Sequence, residues 1–445
     1  MRTFPLMKRA AMQRFSLLPA ALLSLALGTS PVQAANAEPA RAWLASWTAS
    51  PQAVWSSDFL FPSNVPAVLH GQTVRQVARL SVGGPRVRIV LSNAYGKVPL
   101  RIGTATVALA ASGSAIKPGS LRTLTFAGQP SASVAPGAPI ISDPVDLSVP
   151  DLARLTVSIH LPQASPVSTF HWDGRETAWI APHDQTRAAR IDDAQAGVQT
   201  QTTTARLLLS AIEVQAAPGT QAVAILGDSI TDGASASLGM DARWPDFLAA
   251  RLAPQGVAVI NAGISGARLL SDGMGVNALA RFERDVLAQP GVRSVVVLLG
   301  INDISWPGTA FAPRVQRPTL EELTAGYVQL VAQARSCGVR VVGATLTPFA
   351  GALPGTPLSD YYQPEKDALR QQLNAWIRNS GTFDAILDFD AWARDPAHPL
   401  RLLPAYDSGD HLHPGDAGNR ALAERIALPL LLNQSPRPAY RAVLK

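Results

Sequence analysis

The stretch ILGDSITDG at residues 225–233 follows the apolar run AVA at 222–224 and changes abruptly from apolar to polar. Strands that are covered on both faces of a sheet read as continuous apolar runs, so this change marks the end of a buried strand. In open α/β sheets, ligands bind outside the carboxyl ends of the strands. Ser229 therefore stands where a nucleophile is expected, although serine is also a common turn residue.

From residue 220 onward the chain repeats a rhythm of strand, loop and helix. Five apolar stretches predict strands, and helix-length segments separate them; these stretches are 222–227, 257–263, 294–300, 339–346 and 384–389. Apolar strands that alternate with helices are typical of a parallel sheet with helices on both faces. We therefore predict an α/β domain at 220–435, built on a doubly wound, flavodoxin-like parallel sheet of five strands.

The preceding region, residues 41–217, has a different rhythm. Its segments are short, often alternate between apolar and polar residues, and are separated by Gly, Pro, Ser and Asn; RVRIVLSN at 86–93 is an example. Alternation with a period of two residues predicts antiparallel strands with one buried face. The sequence thus predicts an all-β, sandwich-like domain in front of the α/β domain.

Residues 1–34 predict a secretory signal peptide. Four basic residues and no acidic residue accompany the apolar stretch at 15–28, which is too short to span a bilayer, and VQA at 32–34 offers small residues for cleavage. We therefore expect a secreted or periplasmic protein without a membrane span. Loss of this segment lowers the formal net charge from +6 to +2, and the chain has no Lys/Arg cluster that would indicate nucleic-acid binding.

The single cysteine, Cys337, excludes an intramolecular disulfide. It lies between a predicted helix and a predicted strand, and we expect it to be a small buried apolar residue. Asp410, His411 and His413 are close in sequence, but no further His or Cys cluster that would complete a metal site stands nearby. The sequence therefore predicts no metal and no cofactor.

Polar loops follow the first three predicted strands, and a fourth polar cluster, GDHLHPGDAG at 409–418, precedes the last helix. Because parallel strands end at the same edge of a sheet, we expect these loops to converge. Acyl transfer needs a nucleophile, a base oriented by a carboxylate, and hydrogen-bond donors for the oxyanion. The candidates are Ser229 as nucleophile, His413 as base, Asp410 as its carboxylate, and the Ser229 and Gly263 N–H groups with the Asn302 amide as oxyanion donors.

These residues resemble the four sequence blocks of the SGNH (GDSL) hydrolase superfamily, which centre on Ser, Gly, Asn and His. The blocks occur here in the family's order as GDSITDG, NAGISG, GIND and DHLHP, and the resemblance runs from about residue 220 to 430. ARFERDVLAQPGV, GATLTPFAG and YDSGDHLHP are similar to the secreted branch related to xylan-degrading bacterial acylhydrolases. In that branch a β-rich region precedes the catalytic domain, as WTASPQ and LSNAYG suggest here.

The resemblance implies the SGNH hydrolase fold and a serine esterase of short acyl esters. The expected substrate is an acylated carbohydrate, with O-acetyl groups on a polysaccharide first. A broad esterase of small aryl or short-chain lipid esters, a polysaccharide O-acetyltransferase, and a binding module with an inactive site are the alternatives. Arg268 and Trp306, on loops beside the predicted pocket, are candidates for substrate binding; equally, Arg268 fixes its loop through an ion pair and Trp306 forms the pocket wall.

Several aromatic and histidine residues leave two interpretations open. Four tryptophans of the β region form either a stacking platform for sugar rings or part of the core; these are Trp47, Trp55, Trp172 and Trp179. The D-x-x-H spacing favours His413 over its neighbour His411 as the base, so we interpret His411 as structural or substrate-facing. His171 and His183 are single histidines in strand or loop contexts, and the sequence assigns them no role.

Overall fold

The computed structural model describes residues 42–191 and 199–432. The predicted signal peptide at 1–34 lies outside the described residues and stays a prediction. Within the described residues, antiparallel sheets come first and one parallel sheet with its helices follows, in the predicted chain order.

The antiparallel region contains eighteen strands within the part of the chain that the structure describes. They are β1 (Ala42–Thr48), β2 (Gln52–Ala53), β3 (Val68–Leu69), β4 (Gln72–Arg79), β5 (Gly84–Ser92), β6 (Leu100–Ile102), β7 (Ala105–Leu109), β8 (Arg122–Leu124), β9 (Ala132–Val134), β10 (Pro139–Ile141), β11 (Val145–Val149), β12 (Arg154–Leu161), β13 (Ser165–Pro166), β14 (Thr169–His171), β15 (Ala178–Pro182), β16 (Gln201–Thr203), β17 (Arg206–Leu207) and β18 (Leu209–Ala216).

Two large sheets dominate this region. One has the strand order β1-β18-β5-β10, with β11 also paired to β5, and the other has the order β16-β15-β4-β12-β7-β8. Buried side chains of both sheets belong to the same hydrophobic core, among them Val74 and Val157 of the second sheet and Ile89 and Ile212 of the first. Shorter pairings complete the region: β13 with β3, β6 with β9, and β14 between β17 and β2. The predicted all-β, sandwich-like arrangement is confirmed.

The second region contains the parallel sheet and its helices. Its strands are β19 (Gln221–Gly227), β20 (Val257–Gly263), β21 (Val292–Leu298), β22 (Arg340–Ala344) and β23 (Ala385–Leu387). Its helices in the described residues are α1 (Ser229–Asp232), α2 (Trp244–Leu252), α3 (Ala278–Phe282), α4 (Ile301–Ser305), α5 (Leu320–Ser336), α6 (Pro364–Asn379), α7 (Phe389–Ala393) and α8 (Asp416–Arg425). The strand order β20-β19-β21-β22-β23 is that of a flavodoxin-like sheet, so the predicted fold class is confirmed.

Strand β19 aligns the ends of its two neighbours with its own end, so the loops after all three strands begin side by side. Its last residue, Gly227, pairs with Gly263 at the end of β20 and with Leu298 at the end of β21. The loops after these three strands therefore leave the sheet side by side, as the sequence predicts. Between the same strand ends lies the buried Arg281, whose guanidinium donates hydrogen bonds to the carbonyls of Ala262 (2.7 Å) and Gly227 (3.2 Å).

The helices follow the predicted segments closely. Helix α5 begins at a capping box formed by Thr319 and Glu322, and its buried residues Leu323, Tyr327 and Leu330 recur at helical spacing on one face. Among the described residues, no helix has the length and apolar character that crossing a membrane requires. The prediction of a buried Cys337 is wrong: this residue caps the carboxyl end of α5, where the chain turns at the surface, and it is exposed.

The β region packs directly against the edge strand β20 and against the segment that precedes β21. The Ala45 N–H donates to the Pro290 carbonyl (2.9 Å), and the Ser81 hydroxyl donates to the Val259 carbonyl (2.7 Å). Apolar residues of both regions belong to one continuous core. The boundaries that the sequence predicts at 41, 217, 220 and 435 remain predictions.

Candidate active site

Ser229 lies at the start of α1, immediately after the central strand. The preceding Asp228 caps this short helix, because its Oδ1 accepts a hydrogen bond from the Ile230 N–H (3.0 Å). Among the described residues, none accepts a hydrogen bond from the Ser229 N–H. The sharp turn from strand to helix thus presents both the hydroxyl and a free backbone N–H of Ser229.

The loop before α8 brings a histidine and a carboxylate to Ser229. The distance from Ser229 Oγ to His413 Nε2 is 2.8 Å, and that from His413 Nδ1 to Asp410 Oδ2 is 2.6 Å. The other carboxylate oxygen of Asp410 accepts the backbone N–H groups of Leu412 (2.9 Å) and His413 (2.8 Å). The predicted D-x-x-H pair therefore forms one compact turn that points its imidazole at the serine.

The surroundings of Asp410 keep it ionised. Burial opposes its charge, but the hydrogen bonds from the His413 ring, the charge of that ring and the backbone N–H groups of His413 and Leu412 hold the pKa of Asp410 well below its usual range. An ionised carboxylate only accepts hydrogen bonds, so His413 Nδ1 carries the proton that is donated to it. Nε2 is then free to accept the Ser229 hydroxyl proton.

Asn302, on α4 after β21, also faces this site. One N–H of its amide donates to the Ala267 carbonyl (3.0 Å), and its oxygen accepts the Tyr361 hydroxyl (2.7 Å). Burial raises the pKa of Tyr361 well above its usual value, so this hydroxyl remains a neutral donor. These two bonds fix the amide orientation and leave its second N–H for a ligand.

The structure does not bring Gly263 into the site, which corrects the sequence prediction. The Gly263 N–H donates to the Asn261 side chain (2.8 Å), and the residue does not line the cavity around Ser229. A Cβ atom on Gly263 would lie 2.6 Å from the Asp232 nitrogen. Glycine is required here so that α1 can approach the end of β20 closely.

Gly266, the second glycine of NAGISG, lies where the sequence analysis expected Gly263. Residues 264–267 form a turn that is closed by the hydrogen bond from the Ala267 N–H to the Ile264 carbonyl (2.9 Å). Gly266 is the third residue of this turn and has a φ of +71°, a conformation that favours glycine. In the described part of the chain its N–H has no acceptor, and it lines the same cavity as Ser229 and Asn302.

The cavity around Ser229 has a volume of about 230 Å³ and is lined by both regions of the chain. The β region contributes Phe61, Trp172 and Asp173, which the sequence analysis did not place there. Phe61 stacks on Trp172 with ring centroids 5.5 Å apart and contacts Phe311 at 5.1 Å. Phe311 in turn stacks on Trp306 at 4.4 Å, so a continuous row of aromatic rings borders the catalytic residues.

The two candidate substrate-binding residues lie in different places. Trp306 lines the cavity of Ser229, whereas Arg268 lines a neighbouring cavity of about 550 Å³ that contains neither Ser229 nor His413. The guanidinium carbon of Arg268 lies 5.0 Å from the Trp306 ring centroid, and its Nη2 donates to the Asp272 carbonyl. Arg268 thus supports the Trp306 ring from behind and fixes its own loop through a backbone carbonyl.

The remaining aromatic and histidine candidates differ in whether they line the cavity of Ser229. Of the four tryptophans, Trp172 alone lines the cavity of Ser229 in the described residues; Trp55 packs against Trp172 at 5.2 Å. His411 is exposed outside this cavity, with its Nδ1 2.5 Å from Asp407 Oδ2. Within residues 42–191 and 199–432, no group of three or more His, Cys, Asp or Glu residues is placed to hold a metal ion.

Two further buried carboxyl groups lie beneath the site. Burial raises the pKa of Asp228 to about 7 and that of Asp303 to about 6. Both oxygens of Asp303 accept backbone N–H groups, from Leu269 (2.7 Å) and Leu270 (2.9 Å). By contrast, Asp228 Oδ2 is buried and has no hydrogen-bond partner in the described residues. Ionisation of Asp228 is therefore costly to the folded state.

We predict that Asp228→Asn removes part of the pH dependence of stability. Below about pH 4 the carboxyl group is protonated in both states. As the pH rises towards 7, the unfolded chain releases this proton while the folded chain, with its raised pKa, retains it. This group alone then lowers the free energy of unfolding by up to about 1.4 kcal/mol per pH unit.

Asparagine keeps the oxygen that caps α1 but carries no charge at any pH. Urea unfolding between pH 5 and 8 should therefore show that the wild-type protein loses more stability than the variant. Parallel profiles for the two proteins would contradict this assignment.

A family model and several solved structures are similar to parts of this chain. Residues 225–421 match the model of the GDSL-like Lipase/Acylhydrolase family. A comparison with curated protein sequences finds no match. Among solved structures, a GDSL-like lipase from Bacteroides thetaiotaomicron VPI-5482 is 19% identical, and the alignment covers 47% of this chain and 87% of that one with a TM-score of 0.34.

Two further solved structures are similar to this chain over a comparable share of its length. An acetylxylan esterase from Geobacillus stearothermophilus, solved as a catalytic mutant, is 23% identical over 46% of this chain and 91% of that one, with a TM-score of 0.34. The inhibitor-bound M. smegmatis aryl esterase is 18% identical over 48% of this chain and 100% of that one, with a TM-score of 0.38. The match of residues 225–421 to the GDSL-like Lipase/Acylhydrolase family supports a carboxylic ester hydrolase.

Proposed function

We propose that this protein is a secreted serine esterase that hydrolyses short acyl esters, with O-acetyl groups on a polysaccharide as its main substrates. The observation that carries the proposal is the chain of hydrogen bonds from Ser229 to His413 and from His413 to Asp410. Ser229 Oγ lies 2.8 Å from His413 Nε2, and His413 Nδ1 lies 2.6 Å from Asp410 Oδ2, and all three residues line one small cavity. The signal-peptide pattern at 1–34 supports export.

In the first half of the reaction, Ser229 Oγ attacks the ester carbonyl carbon while His413 Nε2 takes the hydroxyl proton. The ionised Asp410 stabilises the imidazolium that forms and holds its ring in place. His413 then gives the proton to the departing alcohol, and the acyl group remains on Ser229. In the second half, His413 takes a proton from water, whose oxygen attacks the acyl carbon. The bond between this carbon and Ser229 Oγ then breaks, His413 returns the proton to Oγ, and a carboxylic acid leaves.

Both halves pass through a tetrahedral intermediate with a negatively charged oxygen. We assign its stabilisation to the backbone N–H groups of Ser229 and Gly266 and to the free amide N–H of Asn302. These donors are rigid because α1, the turn at 264–267 and the bonds to the Asn302 amide hold them before the substrate arrives. Each preorganised donor of this kind contributes roughly 10²- to 10³-fold in rate.

The cavity supports short acyl groups. Its volume of about 230 Å³ is below the roughly 300–1,000 Å³ that is usual for pockets of drug-sized ligands, which favours small acyl groups. The row of rings that borders the serine suits a flat, ring-shaped alcohol component, since aromatic side chains combine large apolar faces with polar edges. A sugar unit meets this description.

A second candidate, an esterase of small aryl esters, is favoured by the apolar character of the same cavity. Besides its aromatic rings, the cavity is lined by Met274, Leu353, Leu358 and Leu412. An aryl leaving group would be buried against these side chains with a gain of roughly 25 cal/mol for each Å² of apolar surface removed from water. Polymer substrates and small aryl esters therefore need to be compared directly.

We predict that Ser229→Ala lowers kcat about 10⁴-fold or more, because the acyl-enzyme can no longer form. Acetate release from acetylated xylan should be measured beside hydrolysis of p-nitrophenyl acetate, butyrate and octanoate. We expect wild-type protein to release acetate from the polysaccharide and to prefer acetate and butyrate over octanoate. Ser336→Ala, at the exposed end of α5, is the matched serine control and should retain wild-type rates.

Each outcome of this comparison has a separate meaning. Wild-type rates in Ser229→Ala would contradict the serine mechanism. Ser229-dependent activity confined to the p-nitrophenyl esters would support the aryl esterase and contradict the polysaccharide substrate. Acetylated acceptor in place of free acetate would indicate an acetyltransferase.

We further predict that substitution of His413 lowers kcat far more than substitution of the neighbouring His411. His413→Ala should lose about 10⁴-fold or more in kcat, because no other group can take the Ser229 proton. His411→Ala should change kcat less than about threefold, since its ring contacts Asp407 outside the cavity. Both rates follow from p-nitrophenyl acetate hydrolysis; the reverse ranking would show that the base is wrongly assigned.

A further inference from the structure

His171, at the end of β14, links the β region to the catalytic loops. Its ring is buried, with Nε2 2.9 Å from Asp232 Oδ1 and Nδ1 3.1 Å from the Ser50 carbonyl oxygen. Asp232 is the last residue of α1, the helix that begins at Ser229. A side chain of the β region therefore makes a direct polar contact with the helix of the nucleophile.

The two partners of the His171 ring are both hydrogen-bond acceptors. A backbone carbonyl oxygen only accepts hydrogen bonds, and so does an ionised carboxylate. Burial opposes ionisation of Asp232, but the charge and hydrogen bond of His171 and the Ser265 hydroxyl hold the pKa of Asp232 below its usual value. Both ring nitrogens of His171 therefore lie opposite acceptors, and Nε2 is placed to donate a hydrogen bond to Asp232.

The second oxygen of Asp232 extends this network to the turn at 264–267. Asp232 Oδ2 accepts both the backbone N–H and the hydroxyl of Ser265, each at 2.9 Å. Ser265 directly precedes Gly266, whose free N–H faces the cavity of Ser229. The same turn supplies the Ala267 carbonyl that orients the Asn302 amide. One carboxylate thus fixes the segment on which two oxyanion donors depend.

We propose that His171 is a positioning residue for ester hydrolysis: through Asp232 it holds the turn at 264–267 so that the Gly266 N–H and the Asn302 amide point at the oxyanion. This inference rests on the proposed function, in which these groups stabilise the tetrahedral intermediate. It gives the β region a part in the catalytic step itself, in addition to the wall that it contributes to the cavity.

Loss of His171 affects this segment in two ways. Asp232 loses a hydrogen-bond donor in a buried position, so it turns towards other donors or takes up a proton. In either case the hydrogen bonds from Ser265 to Asp232 weaken, and the Gly266 N–H is no longer held at one position. A misplaced donor affects the charged intermediate far more than the neutral bound ester, so kcat falls while KM stays nearly constant.

The test uses the purified protein, with both the β region and the α/β region, and its variants His171→Leu, His171→Gln and Ser265→Ala. We expect kcat for p-nitrophenyl acetate to fall about 10- to 100-fold in His171→Leu, less than the complete loss of a donor would cause. KM should change less than about threefold. Affinity for phenylboronic acid, which forms a tetrahedral adduct with the serine, should fall with kcat. His171→Gln should recover part of kcat because its amide can still donate to Asp232.

The matched control is Ser81→Ala, which removes another buried hydrogen bond between the two regions, to the Val259 carbonyl in the middle of β20. It should lower thermal stability and leave kcat and boronate affinity unchanged. A folded His171→Leu protein with wild-type kcat would overturn the proposal, as would an equal loss of kcat in Ser81→Ala. If His171→Leu does not fold, Ser265→Ala decides: a several-fold lower kcat supports the proposal, and an unchanged kcat overturns it.

Failure of this inference is distinguishable from failure of the proposed function. Complete loss of activity in Ser229→Ala together with wild-type kcat in the His171 variants would refute the positioning role alone. Retained activity in Ser229→Ala would refute the serine mechanism, whatever the His171 variants show.

Discussion

The level pairing of three parallel strands is the constraint on which the site depends. Because Gly227 of β19 lies opposite Gly263 of β20 and Leu298 of β21, the three following loops start side by side. Strand pairing requires no particular side chain, because backbone hydrogen bonds make it. The loops are therefore free to carry Ser229, Gly266 and Asn302, and the sheet supplies their common origin.

Hydrogen bonds to three carboxylates then hold the loops and the catalytic base in position. Asp410 orients the base, Asp232 holds the turn at 264–267, and Asp303 binds the backbone just after that turn. Each accepts two or more hydrogen bonds, which is what makes buried carboxyl groups tolerable. Asp228 differs, because one of its oxygens has no partner in the described residues and burial raises its pKa to about 7. Stability is thus lower above neutral pH than it would be without this group.

The β region completes the site from the other side. Phe61 and Trp172 form part of the cavity wall, and His171 reaches α1 through Asp232. Since the two regions share one hydrophobic core, these contacts have a rigid foundation. Because the β region contributes to the cavity wall and to the hydrogen bonds of Asp232, we do not expect the α/β region to reach full activity alone.

Much of this could be predicted from the sequence. The sheet follows from apolar runs that alternate with helices, and the candidates Ser229 and Asn302 follow from residue types at strand ends. Asp410 and His413 follow from the D-x-x-H spacing in the loop before the last helix. Gly263 was misassigned because the availability of a backbone N–H depends on a side chain, Asn261, that sequence spacing does not reveal.

Contacts between distant segments also escaped prediction. His171 pairs with Asp232, 61 positions away, and Phe61 meets Phe311 across an even longer separation. Periodicity reports only which face of a strand or helix is buried, so it cannot identify such partners. The second glycine of NAGISG was the one available signal, because it lies after the strand in the loop that faces the ligand.

The most direct test of the account is to locate the residue that a fluorophosphonate labels. This reagent forms a covalent bond with a serine whose proton is taken by a neighbouring base and whose oxyanion is stabilised. Peptide mass spectrometry of the labelled protein should find one adduct per chain, on the peptide that contains Ser229. An adduct on another residue, or none while ester hydrolysis continues, would contradict the assignment of Ser229 as the nucleophile.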